Sequence, residues 1–187
     1  MSSNSKKLNK QTQLNKRKKE VERKKKLNKL AIIMGIIVVL AAIVFVIVEN
    51  NKPLPGEEVD VMKDQSHIPD INSSHIPYNT DPPTSGQHVE YIANWGVHKE
   101  PVPKEVLVHN LEDGGVVIYY NNNTDQETIS QLEQLIEGYK DHVILTPYAE
   151  MEDNITLTAW GRIDRLSQFD ENRINTFIQA FKGKDHH

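Results

Sequence analysis

The chain has 187 residues with 37% hydrophobic residues, room for one domain with a tail and far too little apolar sequence for several membrane spans. It has no cysteine, which excludes disulfides, thiolate metal sites and cysteine nucleophiles. The net charge of −4 hides an asymmetry that marks separate environments: residues 1–48 carry 12 Lys and Arg against 2 Glu, whereas residues 49–187 carry 10 against 24 acidic residues.

Residues 1–29 form a basic tail, of which 5–29 are expected either as a polar helix or as a disordered segment. Leu30 to Val48 then runs as 19 residues without a charge or a polar side chain. At the helical rise it covers about 28 Å, close to the roughly 30 Å hydrocarbon core of a bilayer. The run is longer than a signal-peptide core, and no Ala-x-Ala cleavage pattern follows it, so an uncleaved anchor is expected. Lys16, Arg17, Lys18, Lys19, Arg23, Lys24, Lys25, Lys26 and Lys29 precede the run, while only Lys52 and Lys63 closely follow it. The positive-inside rule therefore places the N-terminus in the cytoplasm and the remainder outside the cell membrane. The tail lacks interleaved aromatics and adjoins the span, so membrane lipid rather than nucleic acid is its expected neighbour.

Residues 49–66 read as a polar linker and 67–183 as a globular extracytoplasmic domain. The domain opens on a Pro- and His-rich stretch, in which Pro69, Pro77, Pro82, Pro83, Pro101 and Pro103 prevent regular helix. Its apolar residues predict an ordered, irregular region packed on a core. Residues 105–111 and 115–120 read as strands, joined into a hairpin by Glu112-Asp113-Gly114-Gly115. Thr124 or Asp125 can cap a helix whose apolar face is Ile129, Leu132, Leu135, Ile136 and Tyr139, with Gly138 marking its end. Residues 142–148 and 155–166 read as two further strands. A last helix follows Asp170, with Ile174, Phe177, Ile178 and Phe181 on one face and a stop at Gly183. The expected class is α+β: a two-layer mixed sheet with two amphipathic helices on one face, preceded by the Pro/His-rich region and one transmembrane helix. The element order resembles the later part of a thioredoxin-like arrangement, without redox cysteines, and implies no function.

No catalytic motif is present. Ser85 follows Pro82-Pro83-Thr84 and is read as a turn residue capping amides, with a nucleophilic role beside His88 or His109 as the rival. Five of the eight histidines fall between 67 and 109: His67, His75, His88, His98 and His109. Imidazoles with carboxylates suit Zn²⁺ or Cu²⁺. Glu90, Glu112 and Asp113 lie near in sequence as oxygen donors, and His109, placed in a strand, precedes Asp113 by four residues. His186 and His187 are expected to be exposed. Trp95 and Trp160 are read as packing residues and Arg162 as a partner for a carboxylate.

His67, Tyr78, PPTSGQH at 82–88, WGV at 95–97, PVPKEVLVHNLEDGG at 101–115, VVIYY at 116–120 and TAWGR at 158–162 together resemble an uncharacterised family, the domain of unknown function numbered 3105. The resemblance covers most of 65–182. It implies a bacterial protein with an N-terminal anchor or signal, and a fold rather than an activity. Members often have His where Asp113 stands and Tyr where His98 stands. If the family site is a histidine cluster, the resemblance implies His67, His88 and His109 as ligands with Asp113 as a carboxylate substitute, which disfavours soft Cu(I).

Three functions follow as expectations. The first is a non-catalytic interaction or adaptor module docking a cell-envelope protein. The second is a divalent-metal (Zn or Cu) binding protein using His67, His88, His109 and Asp113, with His75, Glu112 and Ser85 as accessories. The third is a hydrolase. Nothing in the sequence fixes an oligomeric state.

Overall fold

The computed structural model describes residues 2–50 and 53–187, and the side chains of 16–48 and 53–187. The chain divides into two units, one up to Pro53 and one from Leu54 to His187.

The first unit holds a helix, α1, over Ser2–Asn50. Every side chain described in it, from 16 to 48, is exposed. Water does not tolerate nineteen consecutive apolar side chains on a bare helix, so the surface from Leu30 to Val48 calls for an apolar surrounding. Among the described residues this is the one helix long and apolar enough to cross a membrane.

The second unit is built on a mixed sheet. Its strands are β1 (Glu57–Glu58), β2 (Gly96–Val97), β3 (Val116–Tyr120), β4 (Val143–Pro147), β5 (Ile155–Ala159) and β6 (Arg162–Leu166), in the order β1-β6-β5-β3-β4-β2. Strand β3 runs parallel to β4, with Ile118 opposite Leu145, and antiparallel to β5, with Ile118 opposite Leu157. Helix α2 covers Lys104–Glu112, α3 Gln126–Ile136 and α4 Glu171–Phe181. The α-β-α-β-β-β-α order from α2 onward makes the domain α+β.

Strand side chains alternate between two cores, as the period of two requires. Val116, Ile118, Val143 and Leu145 pack with Leu132 and Ile136 of α3 and with Ile174, Phe177, Ile178 and Phe181 of α4. Val117, Tyr119 and Ile144 point the other way, onto Leu107 and Leu111 of α2. The sheet is thus covered on both faces, where one helical layer was expected. Asp125 and Asp170 cap α3 and α4, accepting hydrogen bonds from the amides of Thr128 (2.8 Å) and Arg173 (3.0 Å).

Two expectations are corrected. Residues 105–111 are helix, not strand, and there is no hairpin from 105 to 120. Val106 through Glu112 are all buried, because α2 lies between the sheet and the irregular region, where Val106 meets Ile68 and Val89. A helix enclosed on both sides shows no solvent-exposed stripe, and a short run of this kind fits either element. The Gly114-Gly115 signal is a helix stop: the Gly114 amide donates to the Leu111 carbonyl (3.1 Å) and that of Gly115 to Asn110 (2.7 Å), closing a Schellman motif. Residues 155–166 are likewise two strands, turning at Trp160-Gly161, where Gly161 has φ +64°.

Part of the stretch expected as linker lies against the sheet. Glu57 and Glu58 pair with Ile163 and Arg162 as β1, and the Val59 amide donates to the Gly161 carbonyl (2.9 Å). Arg162 meets Glu58 at 3.0 Å, the carboxylate partner expected for it.

Candidate metal centre

Three segments far apart in sequence deliver the histidines. His67 and His88 face each other across a short parallel bridge between the two arms of the irregular region, held by the Ile68 amide donating to the His88 carbonyl at 2.7 Å. His109 comes from α2. Its neighbours Glu112 and Asp113 follow at i+3 and i+4, so the helix, unlike a strand, turns all three toward one side.

The PPTSGQH motif builds the arm that carries His88. The Asp81-Pro82 bond is cis, and the Thr84 carbonyl accepts from the Gly161 amide at 3.1 Å. Ser85 is buried, and its Oγ accepts from the Met62 amide at 3.0 Å, which makes it a structural capping residue of the loop. Gly86 has φ +126°, and a Cβ there would sit 2.8 Å from Met62 Sδ and 2.9 Å from Tyr78 Cδ1. Only glycine fits, and its carbonyl is thereby aimed at His88.

The rings of His67, His88 and His109 lie with centroids 5.0 to 5.3 Å apart. One ligand nitrogen from each falls within 4.8 Å of the others, as do ligand atoms of His109, Glu112 and His187. Three atoms so spaced share a centre less than about 3 Å from each, and a small contraction brings them to the roughly 2.0–2.1 Å of a Zn–N bond. Clusters able to coordinate a metal ion are therefore present in the domain.

Backbone carbonyls set the tautomers. His88 Nδ1 lies 2.8 Å from the Gly86 carbonyl and His109 Nδ1 2.7 Å from the Val89 carbonyl. A carbonyl only accepts, so each Nδ1 carries the proton. In the neutral ring Nε2 is then a bare acceptor, the form that binds metal, fixed from outside in the usual manner of metal-ligating histidine. Burial pushes the His88 imidazole below its ordinary pKa, against the opposing pull of the Gly86 carbonyl and the Glu112 carboxylate.

An electrostatic mismatch sits at the centre. His88 is fully buried, and its Nε2 comes 3.0 Å from Glu112 Oε2 yet forms no hydrogen bond. With the ring neutral, a lone pair and a carboxylate oxygen, both acceptors, face each other; with Nε2 protonated the same contact is an ion pair. A cation, whether that proton or a metal ion, satisfies groups so placed. The residues thus fit a divalent ion both in donor chemistry and in what they lack.

The other candidates fall elsewhere or at the edge. Asp113 Oδ1 is 3.7 Å from His109 Nε2 and 2.7 Å from His187 Nε2. His75 pairs with Glu105 at 3.4 Å and packs on Tyr78, outside the trio. His98 Nε2 meets the Asn94 carbonyl at 2.7 Å. Trp95 packs in the α2-side core and stacks on His142. His187 is the residue that sequence reasoning passed over. The helical spacing of His109, Glu112 and Asp113 was the signal that could have brought the two carboxylates forward together.

The fold and this cluster define an α+β domain with a tri-histidine centre, carried in a chain with one apolar N-terminal helix. The chain belongs to the DUF3105 family, described as a protein of unknown function, whose model matches residues 71–187. That range takes in His88, His109 and the histidines after α4. No curated protein matches the chain, and no solved structure does.

Proposed function

We propose that this protein is anchored by a single span over 30–48, keeps residues 1–29 in the cytoplasm, and holds outside the membrane a domain that binds a divalent transition metal, Zn²⁺ or Cu²⁺, through His67, His88 and His109. The observation that carries this reading is the convergence of one nitrogen each from His67, His88 and His109 within 4.8 Å of one another, with the buried His88 Nε2 in no hydrogen bond. The ligand set of three imidazoles beside a carboxylate belongs to borderline divalent ions rather than to calcium or magnesium. A three-histidine set also leaves a coordination position for a further donor. The topology rests on the nine Lys and Arg between residues 16 and 29.

The adaptor reading has no comparable observation behind it. The hydrolase reading keeps a metal-bound water as its route, because Ser85 is fully buried with its Oγ accepting from the Met62 amide.

Isothermal titration of the full chain in detergent with Zn²⁺ and with Cu²⁺ tests the proposal. A dissociation constant tighter than about 10 μM is expected, and heats that fail to saturate in that range contradict it. Because metal binds the folded state, free Zn²⁺ at about 100 times its dissociation constant should add roughly 2.7 kcal/mol of stability, seen as a rise in melting temperature that a chelator reverses.

A further inference from the structure

After α4 the chain does not run off into solvent. It crosses over the end of α2 as a strap. The Gly183 amide donates to the Gly114 carbonyl at 2.8 Å, and the His186 amide to the Glu112 carbonyl at 2.9 Å. The His186 ring stacks on Trp160 at 5.9 Å. The crossing depends on Gly114: with φ +77°, a Cβ there would come within 2.6 to 2.8 Å of the Lys184 backbone. The strap is therefore seated in a place that only glycine leaves open.

It ends at the histidine cluster. The His187 ring lies 5.9 Å from that of His109. Its Nε2 is 2.7 Å from Asp113 Oδ1, and its Nδ1 is 3.7 Å from Glu112 Oε2, the oxygen that also faces His88. With Nε2–H donated to Asp113, Nδ1 becomes the free lone pair and points toward the shared carboxylate. A carboxylate–histidine pair of this kind orients a metal ligand from its outer side.

We infer that His187 is a closing ligand: the strap carries it to the tri-histidine centre as a fourth protein donor, Asp113 is its positioning residue, and withdrawal of the strap opens one coordination position to an outside donor. The inference rests on the metal reading above. It makes Asp113 an outer partner instead of a ligand, and it makes the site gated by the segment after α4.

Co²⁺ alone is the probe, added to the full chain in detergent and followed by its visible d–d bands, with azide as a small anion that enters only an open position. The unsubstituted chain should bind Co²⁺ with bands that azide leaves unchanged. His187→Ala, a largely exposed position, should bind Co²⁺ at least about tenfold more weakly, no less than the loss of an outer partner, with bands that azide shifts. Asp113→Asn should weaken binding about tenfold. Gly114→Ala removes no donor but displaces the strap, and should reproduce the azide response of His187→Ala. Equal affinity and equal azide response in the unsubstituted chain and His187→Ala overturn the closing role while leaving the tri-histidine site standing. Indifference of Gly114→Ala to azide overturns the strap as the carrier. A chain that takes up no Co²⁺ overturns the metal reading and the strap with it.

Discussion

His88→Ala is expected to weaken zinc binding by more than about 100-fold, beyond the roughly 10–100-fold typical of losing an outer partner. His88 is the histidine of the trio that is completely enclosed, and its ring is held from behind by the Gly86 carbonyl. Neighbouring Val89 is itself buried in the small core that joins the irregular region to α2, so the backbone that carries His88 is anchored. The same substitution removes the close approach to Glu112. The metal-free variant should therefore lose little stability from the polar contact and lose mainly the packing of one ring. Titration with Zn²⁺ beside a urea melt of the metal-free proteins separates the two effects. Affinity within a factor of about 3 of the unsubstituted chain would remove His88 from the site.

Phe177→Ala is expected to cost about 3–5 kcal/mol, the range for truncating a buried aromatic. Phe177 is fully buried in the α3/α4 core, with the Phe181 ring 4.8 Å away. A Cβ on Gly56 would come 2.8 Å from its Cε2, so the segment leading into β1 closes directly over it. A loss of this size is a large part of the 5–15 kcal/mol that ordinary domains have, and should lower the melting temperature by roughly 10–20 °C. The metal centre lies across the sheet, on the α2 side. Zinc affinity of the folded fraction should therefore stay unchanged. A melting temperature lowered by only a degree or two would mean that α4 does not pack on the sheet as described.

Much of the fold is legible in the sequence where one side of an element meets water. Helices α3 and α4 each show a single apolar stripe, and the residues of that stripe that are buried (Leu132, Ile136, Ile174, Phe177, Ile178 and Phe181) are the ones that periodicity selects. Helix α2 is illegible for the opposite reason. Leu107 and Leu111 face the sheet, Val106 faces the irregular region, and the polar residues His109, Asn110 and Glu112 are buried as well, so no solvent-facing side sets off an apolar stripe. The turn between β5 and β6 is hidden because Trp160-Gly161 lacks the Asn-Gly or Asp-Gly signature of a two-residue hairpin.

The site divides in the same way. His67, His88 and His109 stand out by composition, and the resemblance to DUF3105 groups them with Asp113. Reading α2 as a strand hid the fact that Glu112 shares the side of the helix that carries His109, with its Oε2 3.0 Å from the His88 Nε2. His187 could not be found locally. It meets Asp113 across 74 positions of sequence, through a strap whose path is set by the missing side chain of Gly114.

X-ray absorption at the zinc edge of the full chain, loaded with one equivalent of Zn²⁺, tests the three-histidine centre most directly. A first shell at about 2.0–2.1 Å with the outer-shell scattering of at least three imidazole rings is expected, reduced by one ring in His88→Ala. A shell of oxygen donors without imidazole scattering, or one that His88→Ala leaves unaltered, would contradict it.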